Sequence, residues 1–114
     1  MVERVRALRA GLAALELKIV ADEPVASSTI TGVHYPPGID ATLIAAVREE
    51  GVVLAAGLHP AIKTTSFRIG HMGAVSGSEL LATLGALERA LHRRGARIDL
   101  GAGIAAAQRA LVSA

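Results

Sequence analysis

Ser66-Phe67-Arg68-Ile69-Gly70-His71-Met72-Gly73 reads as a short strand running into glycines. Phe67 and Ile69 alternate with Ser66 and Arg68. An extended chain therefore buries the first pair and turns Arg68 to the other face, toward solvent or a ligand. Gly70 and Gly73 then let the backbone bend sharply or approach another group closely. An arginine presented this way suits a carboxylate or phosphate, because its planar fork makes two parallel hydrogen bonds that a lysine cannot reproduce.

Working outward, the upstream Val52-Val53-Leu54-Ala55-Ala56 is an apolar run bounded by glycine and too short for a helix, so it predicts a second strand. Before it, Asp40 is placed to cap a helix from about Ala41 to Glu50, with Leu43, Ile44 and Val47 buried and Gly51 as a left-handed stop. Thr29 to Tyr35 carries the β-branched enrichment of a third strand, ended by Pro36-Pro37-Gly38. The first segment, Met1 to Lys18, places Val2, Val5, Leu8, Leu12 and Leu15 on one stripe of an amphipathic helix. Downstream, Ser76 and Glu79 have the spacing of a capping box. Leu80, Leu81, Leu84, Leu87 and Leu91 continue it as the most strongly patterned helix, stopped by Gly95. Arg97 to Gly103 reads as an extended or turn stretch before a weak alanine-rich helix. The expected fold is α+β, one domain over residues 1–114: a small three-stranded, mostly antiparallel sheet with helices on one face. The uncovered sheet face is then expected to meet a larger domain or a second subunit.

A chain of 114 residues with 52% apolar content supports a single core. The formal charge of +2 is a mild bias, and Tyr35 and Phe67 are the only aromatic residues. Nucleic-acid binding, which draws on a wide basic face or several stacking rings, is not expected. The absence of cysteine excludes disulfides, thiolate metal sites and a cysteine nucleophile. His34, His59, His71 and His92 lack metal-ligand spacing, so no metal site is expected. No apolar run reaches membrane-spanning length and no signal peptide is evident, so a cytoplasmic protein with no membrane contact is the expectation.

Gly57-Leu58-His59-Pro60-Ala61-Ile62-Lys63, running into Phe67-Arg68-Ile69-Gly70-His71-Met72-Gly73, resembles the carboxy-terminal small domain of class V pyridoxal-phosphate aminotransferases, in their alanine:glyoxylate and serine:glyoxylate branch. The likeness extends to Ser27 through Val33 and to Asp99 through Ile104. It implies the small domain of a fold-type I enzyme that moves an amino group from alanine or serine to glyoxylate or a similar 2-oxo acid. Arg68 would then bind the α-carboxylate, and His71, Gly70 and Gly57 would stand behind it. In such enzymes the cofactor acts as an electron sink when the α-proton leaves. The breaking bond must stand perpendicular to the conjugated ring, and a two-point hold on the carboxylate helps to orient it. Neither Lys18 nor Lys63 resembles the family's cofactor lysine. The resemblance therefore assigns pyridoxal phosphate to a large domain absent from this chain, gives this chain no catalytic residue, and implies a homodimer in the complete protein.

Each feature also has a plainer reading. Arg68 alone could be a solvated strand residue, and His71 a packed side chain. Gly101-Ala102-Gly103-Ile104 imitates a dinucleotide fingerprint, but the chain ends before the acidic residue such a fold requires. His92-Arg93-Arg94 with Arg97 suits the negative end of a helix dipole, and Glu49-Glu50 reads as a solvated helix end. The alternative function is a free-standing α+β module that holds a small anion or dimerises without catalysis.

Overall fold

The computed structural model describes residues 2–19, 30–52, 54–56, 66–70 and 77–113. The elements are α1 (Val2–Ala14), β1 (Ile30–His34), α2 (Thr42–Glu49), β2 (Ala55–Ala56), β3 (Ser66–Gly70), α3 (Gly77–Arg93) and α4 (Ala102–Ser113). The sheet is three-stranded in the order β1-β3-β2, antiparallel throughout, with β3 in the centre. The expected α+β architecture is therefore present.

The alternation expected around Arg68 sets the layers. Phe67 and Ile69 are buried with Val33 in one cluster that includes Leu8, Leu12, Leu43, Val47, Leu84, Leu87 and Leu91 from the helices. Arg68, on the opposite face of β3, is half-buried. Tyr35, just past β1, tilts its ring against Phe67 with centroids 5.3 Å apart, a favourable aromatic separation. Within the helical layer α3 touches α1, α2 and α4, and α1 lies along α4.

Three glycine stops behave as expected. Gly51 (φ 91°) closes α2, with the Val52 N–H reaching the Val47 carbonyl at 3.3 Å. Gly95 (φ 89°) does the same for α3 through Ala96 and Leu91 at 3.0 Å, and Gly38 (φ 82°) completes the Pro36-Pro37 turn. Each is the left-handed closure at which glycine carries no β-carbon penalty.

Several boundaries differ from expectation. The first helix ends at Ala14 rather than Lys18, because Leu17 turns its N–H back to Leu12 at 3.0 Å and Glu16 takes a left-handed φ of 60°. The chain then runs beside β1, where Ile19 bridges Val33 and the Lys18 carbonyl accepts the His34 N–H at 2.8 Å. The second strand is only Ala55–Ala56, with Leu54 turned into the core. The Asp40 cap, by contrast, is as expected: its carboxylate accepts the Thr42 N–H at 3.0 Å, and Ala41 is already helical in φ and ψ. The alanine-rich last helix begins at Ala102, two residues inside the stretch expected to be extended or turn. Ser27, Ser28, Thr29, Val53, Gly57, His59, Lys63, His71, Met72 and Ser76 lie outside the described residues.

Candidate functional site

Arg68 stands at the middle of the central strand, opposite Gly32 of β1 on one side and Ala55 of β2 on the other. Two flanking strands hold the backbone at Arg68 in register, and buried Phe67 and Ile69 pin it to the core from below. The base of the side chain is thus fixed by three strands and a packed layer, the rigid support that precise ligand positioning requires. Gly70, the last residue of β3, pairs with Ile30. Ser66 lies two positions before Arg68, on the same face of the pleat, and is buried. Of the residues expected to stand behind Arg68, Gly70 is in the strand, whereas His71 and Gly57 lie outside the described residues.

Several other charged groups are structural. Glu50, expected to be solvated, is mostly covered and binds two arginines of α3: Arg89 Nε at 2.6 Å, and Arg93 Nη1. Those two hydrogen bonds hold the Glu50 carboxyl below the usual glutamate range. Arg94 donates to the Thr42 hydroxyl, which itself donates to Asp40 at 2.5 Å. The basic cluster at the end of α3 therefore does more than favour the helix dipole, since it ties α3 to α2. Asp40 is held below the usual aspartate range, first by its bonds from Thr42. Burial, and then the nearby Asp40 charge, push the Tyr35 phenol up, so it stays protonated at neutral pH.

Glu88 was not singled out by sequence reasoning. It is 2% exposed, and its carboxylate accepts the N–H of Gly101 and, at 3.0 Å, that of Ile104. These are the orphan donors at the start of α4. The sequence did carry a signal: Glu88 falls in the apolar stripe of α3, between Leu84 and Leu91. Its placement also disposes of the Gly101-Ala102-Gly103 fingerprint. The helix N-terminus where a pyrophosphate would sit is filled by a carboxylate of the chain itself.

Pyridoxal phosphate requires a lysine for its carbonyl carbon and donors for its phosphate. The described residues do not fit it. Lys18 is exposed beyond the end of α1, and the N-termini of α2 and α4 are already satisfied by Asp40 and Glu88. Two shallow clefts, one on the outer face of α4 beside Arg109 and Val112, the other between Glu16, Pro37 and Arg97, hold no lysine. Among the described residues no group of three or more His, Asp or Glu side chains is placed to hold a metal. No described helix is long and apolar enough to cross a membrane.

No family model matches the chain. Among curated proteins it is 39% identical over 111 residues to the soluble hydrogenase small subunit of Synechococcus sp., covering 96% of this chain and 29% of that protein. It is 36% identical over 104 residues to serine–glyoxylate aminotransferase of Methylorubrum extorquens, covering 89% and 26%. Among solved structures, pyridoxamine–pyruvate aminotransferase from Mesorhizobium loti superposes with a TM-score of 0.86 at 34% identity, over 97% of this chain and 29% of that one. Ureidoglycine–glyoxylate aminotransferase from Bacillus subtilis gives 0.85 at 29% identity, over 95% and 28%. The chain thus spans less than a third of the length of the relatives it matches. Nearly all of it is accounted for by one part of fold-type I aminotransferases that act with glyoxylate or pyruvate, so the chain belongs to the class V aminotransferases and corresponds to their small domain.

Proposed function

We propose that the chain is the carboxy-terminal, substrate-gripping domain of a pyridoxal-phosphate-dependent transaminase. Arg68 anchors the carboxylate of a small amino acid, alanine or serine, and of its 2-oxo acid partner, glyoxylate or a close analogue. The observation that carries this reading is the setting of Arg68: a fork-shaped cation on the centre of a three-stranded sheet, on the face turned away from the helices. The chain also docks onto a larger, lysine-bearing domain, which supplies the cofactor. His71, Gly70 and Gly57 shape the surroundings of the guanidinium. The complete protein acts as a cytoplasmic homodimer.

The chemistry asked of this chain is binding and orientation. A bidentate arginine holds both carboxylate oxygens and so restricts rotation about the bond to the α-carbon. A charge-assisted pair of this kind contributes about 1.5 to 3 kcal/mol, so Arg68→Ala should raise the Michaelis constant for the amino acid by roughly ten to over a hundredfold. Arg68→Lys should recover little, because a point charge cannot reproduce the fork. Steady-state kinetics of the complete aminotransferase test this, and unchanged constants in Arg68→Ala would refute the anchoring role.

The name of the Synechococcus relative suggests redox chemistry instead. The present chain has no cysteine, so it contributes no thiolate ligand to an iron–sulfur centre. A free-standing anion-binding or dimerisation module would also use Arg68. Tight binding of small carboxylates by the isolated chain, or a stable symmetric dimer in sedimentation, would favour that reading over the transaminase.

A further inference from the structure

Gly32 stands directly opposite Arg68 in the β1–β3 ladder. A glycine inside a strand forfeits side-chain packing and loses more backbone entropy than any other residue. It is found there for a bulge, a special backbone angle or a close approach. The register runs without interruption from Ile30 opposite Gly70 to His34 opposite Ser66, which leaves no bulge at Gly32. The described glycines with left-handed φ are Gly38, Gly51, Gly95 and Gly101, so no special angle is needed at Gly32 either. Close approach remains, and Gly32 is indeed buried. Directly opposed residues of an antiparallel pair project their β-carbons to the same face, about 4.5–5.5 Å apart. The side chain with first claim on the space over Gly32 is therefore that of Arg68. On its other flank Arg68 pairs with Ala55, so Gly32 is the glycine of the two residues directly opposite it.

We propose that Gly32 is a positioning residue for Arg68: the missing β-carbon lets the arginine stem lean over β1 and so sets where the guanidinium meets the substrate carboxylate. This rests on the reading of Arg68 as the carboxylate anchor. The test uses the complete aminotransferase and pyruvate as a simple 2-oxo acid, with calorimetric Kd, KM for the amino acid and thermal midpoint measured for Gly32→Ala, Arg68→Ala and the double variant.

A β-carbon at position 32 that displaces the guanidinium by about an ångström should weaken pyruvate binding and raise KM by roughly tenfold or more, with the thermal midpoint held or raised. In the Arg68→Ala background Gly32→Ala should then have no further effect on Kd. Unchanged Kd and KM in Gly32→Ala, an equal effect with and without Arg68, or loss of folding would each assign the glycine to packing and overturn the proposal. If Arg68→Ala itself leaves Kd unchanged, the anchoring reading falls along with the inference. If Arg68→Ala weakens binding and Gly32→Ala does not, only the inference falls.

Discussion

Glu88 lies on the buried face of α3, one turn after Leu84 and one turn before Leu91, yet it carries a carboxylate. Its burial is tolerable because both oxygens are occupied by backbone donors of α4, whose N-terminal partial positive charge favours an anion. Removing the acceptor leaves those donors without it. Glu88→Ala should cost roughly 3 kcal/mol through the loss of charged hydrogen bonds and the desolvated N–H groups that remain. Glu88→Gln keeps the shape and one carbonyl acceptor and should cost distinctly less. Urea unfolding of the three proteins separates them, and equal midpoints for Glu88→Ala and wild type would contradict the capping role. Arg68 contrasts with Glu88 in where it stands: Glu88 lies within the packed helical layer, whereas Arg68 stands on the face of β3 opposite the core-facing Phe67 and Ile69.

Between elements, the contact of α2 with α3 depends on the Glu50 clamp as well as on apolar burial of Leu43 and Val47. Glu50 is held below its ordinary pKa, so its contribution is fully present above the unfolded value. That contribution is lost as pH falls through the lower folded value. Glu50→Gln should therefore be less stable than wild type at about pH 7, with the gap closing as pH drops below about 4, where unfolded glutamates protonate. Arg89 and Arg93 are 49% and 62% exposed, so salt should also narrow the gap. Denaturant midpoints across a pH series measure both trends. A gap independent of pH would show that the clamp acts through packing rather than charge.

At the scale of the molecule, the helical layer closes because two glycines let α1 and α4 approach each other. A β-carbon on Gly11 would stand 2.9 Å from the Gly103 carbonyl oxygen and 2.7 Å from Leu84 Cδ1. One on Gly103 would stand 2.9 Å from Leu15 Cδ1 and 3.0 Å from the Glu88 carboxylate. The backbone contact cannot be relieved by a rotamer change, so Gly11→Ala must push the helices apart. Although alanine is the better helix former, Gly11→Ala should destabilise the fold by roughly 1–3 kcal/mol, as overpacked cores do. A stability gain in thermal unfolding would show that the α1–α4 contact is looser than these distances imply.

Local chemistry was enough to place the strand at Arg68, the glycine stops at Gly51 and Gly95 and the stripe of α3. In each case the residue type itself restricts the backbone or the buried face within a few positions. The family likeness of the glycine loop and the Phe67–Gly73 motif was likewise legible in the residues. Glu50 read as solvated and Glu88 was passed over because their partners, Arg89 and Arg93 for one, Gly101 and Ile104 for the other, are met only after helices dock. A charge has the same local signature whether water or another helix receives it. Strand order was also beyond the reach of local pattern. The sequence by itself determined which residues could be strand, helix and stop, and that an arginine would stand on a sheet. Only the tertiary structure decided that this strand is the central one with Gly32 opposite Arg68, because ladder register depends on how separated segments pair and pack.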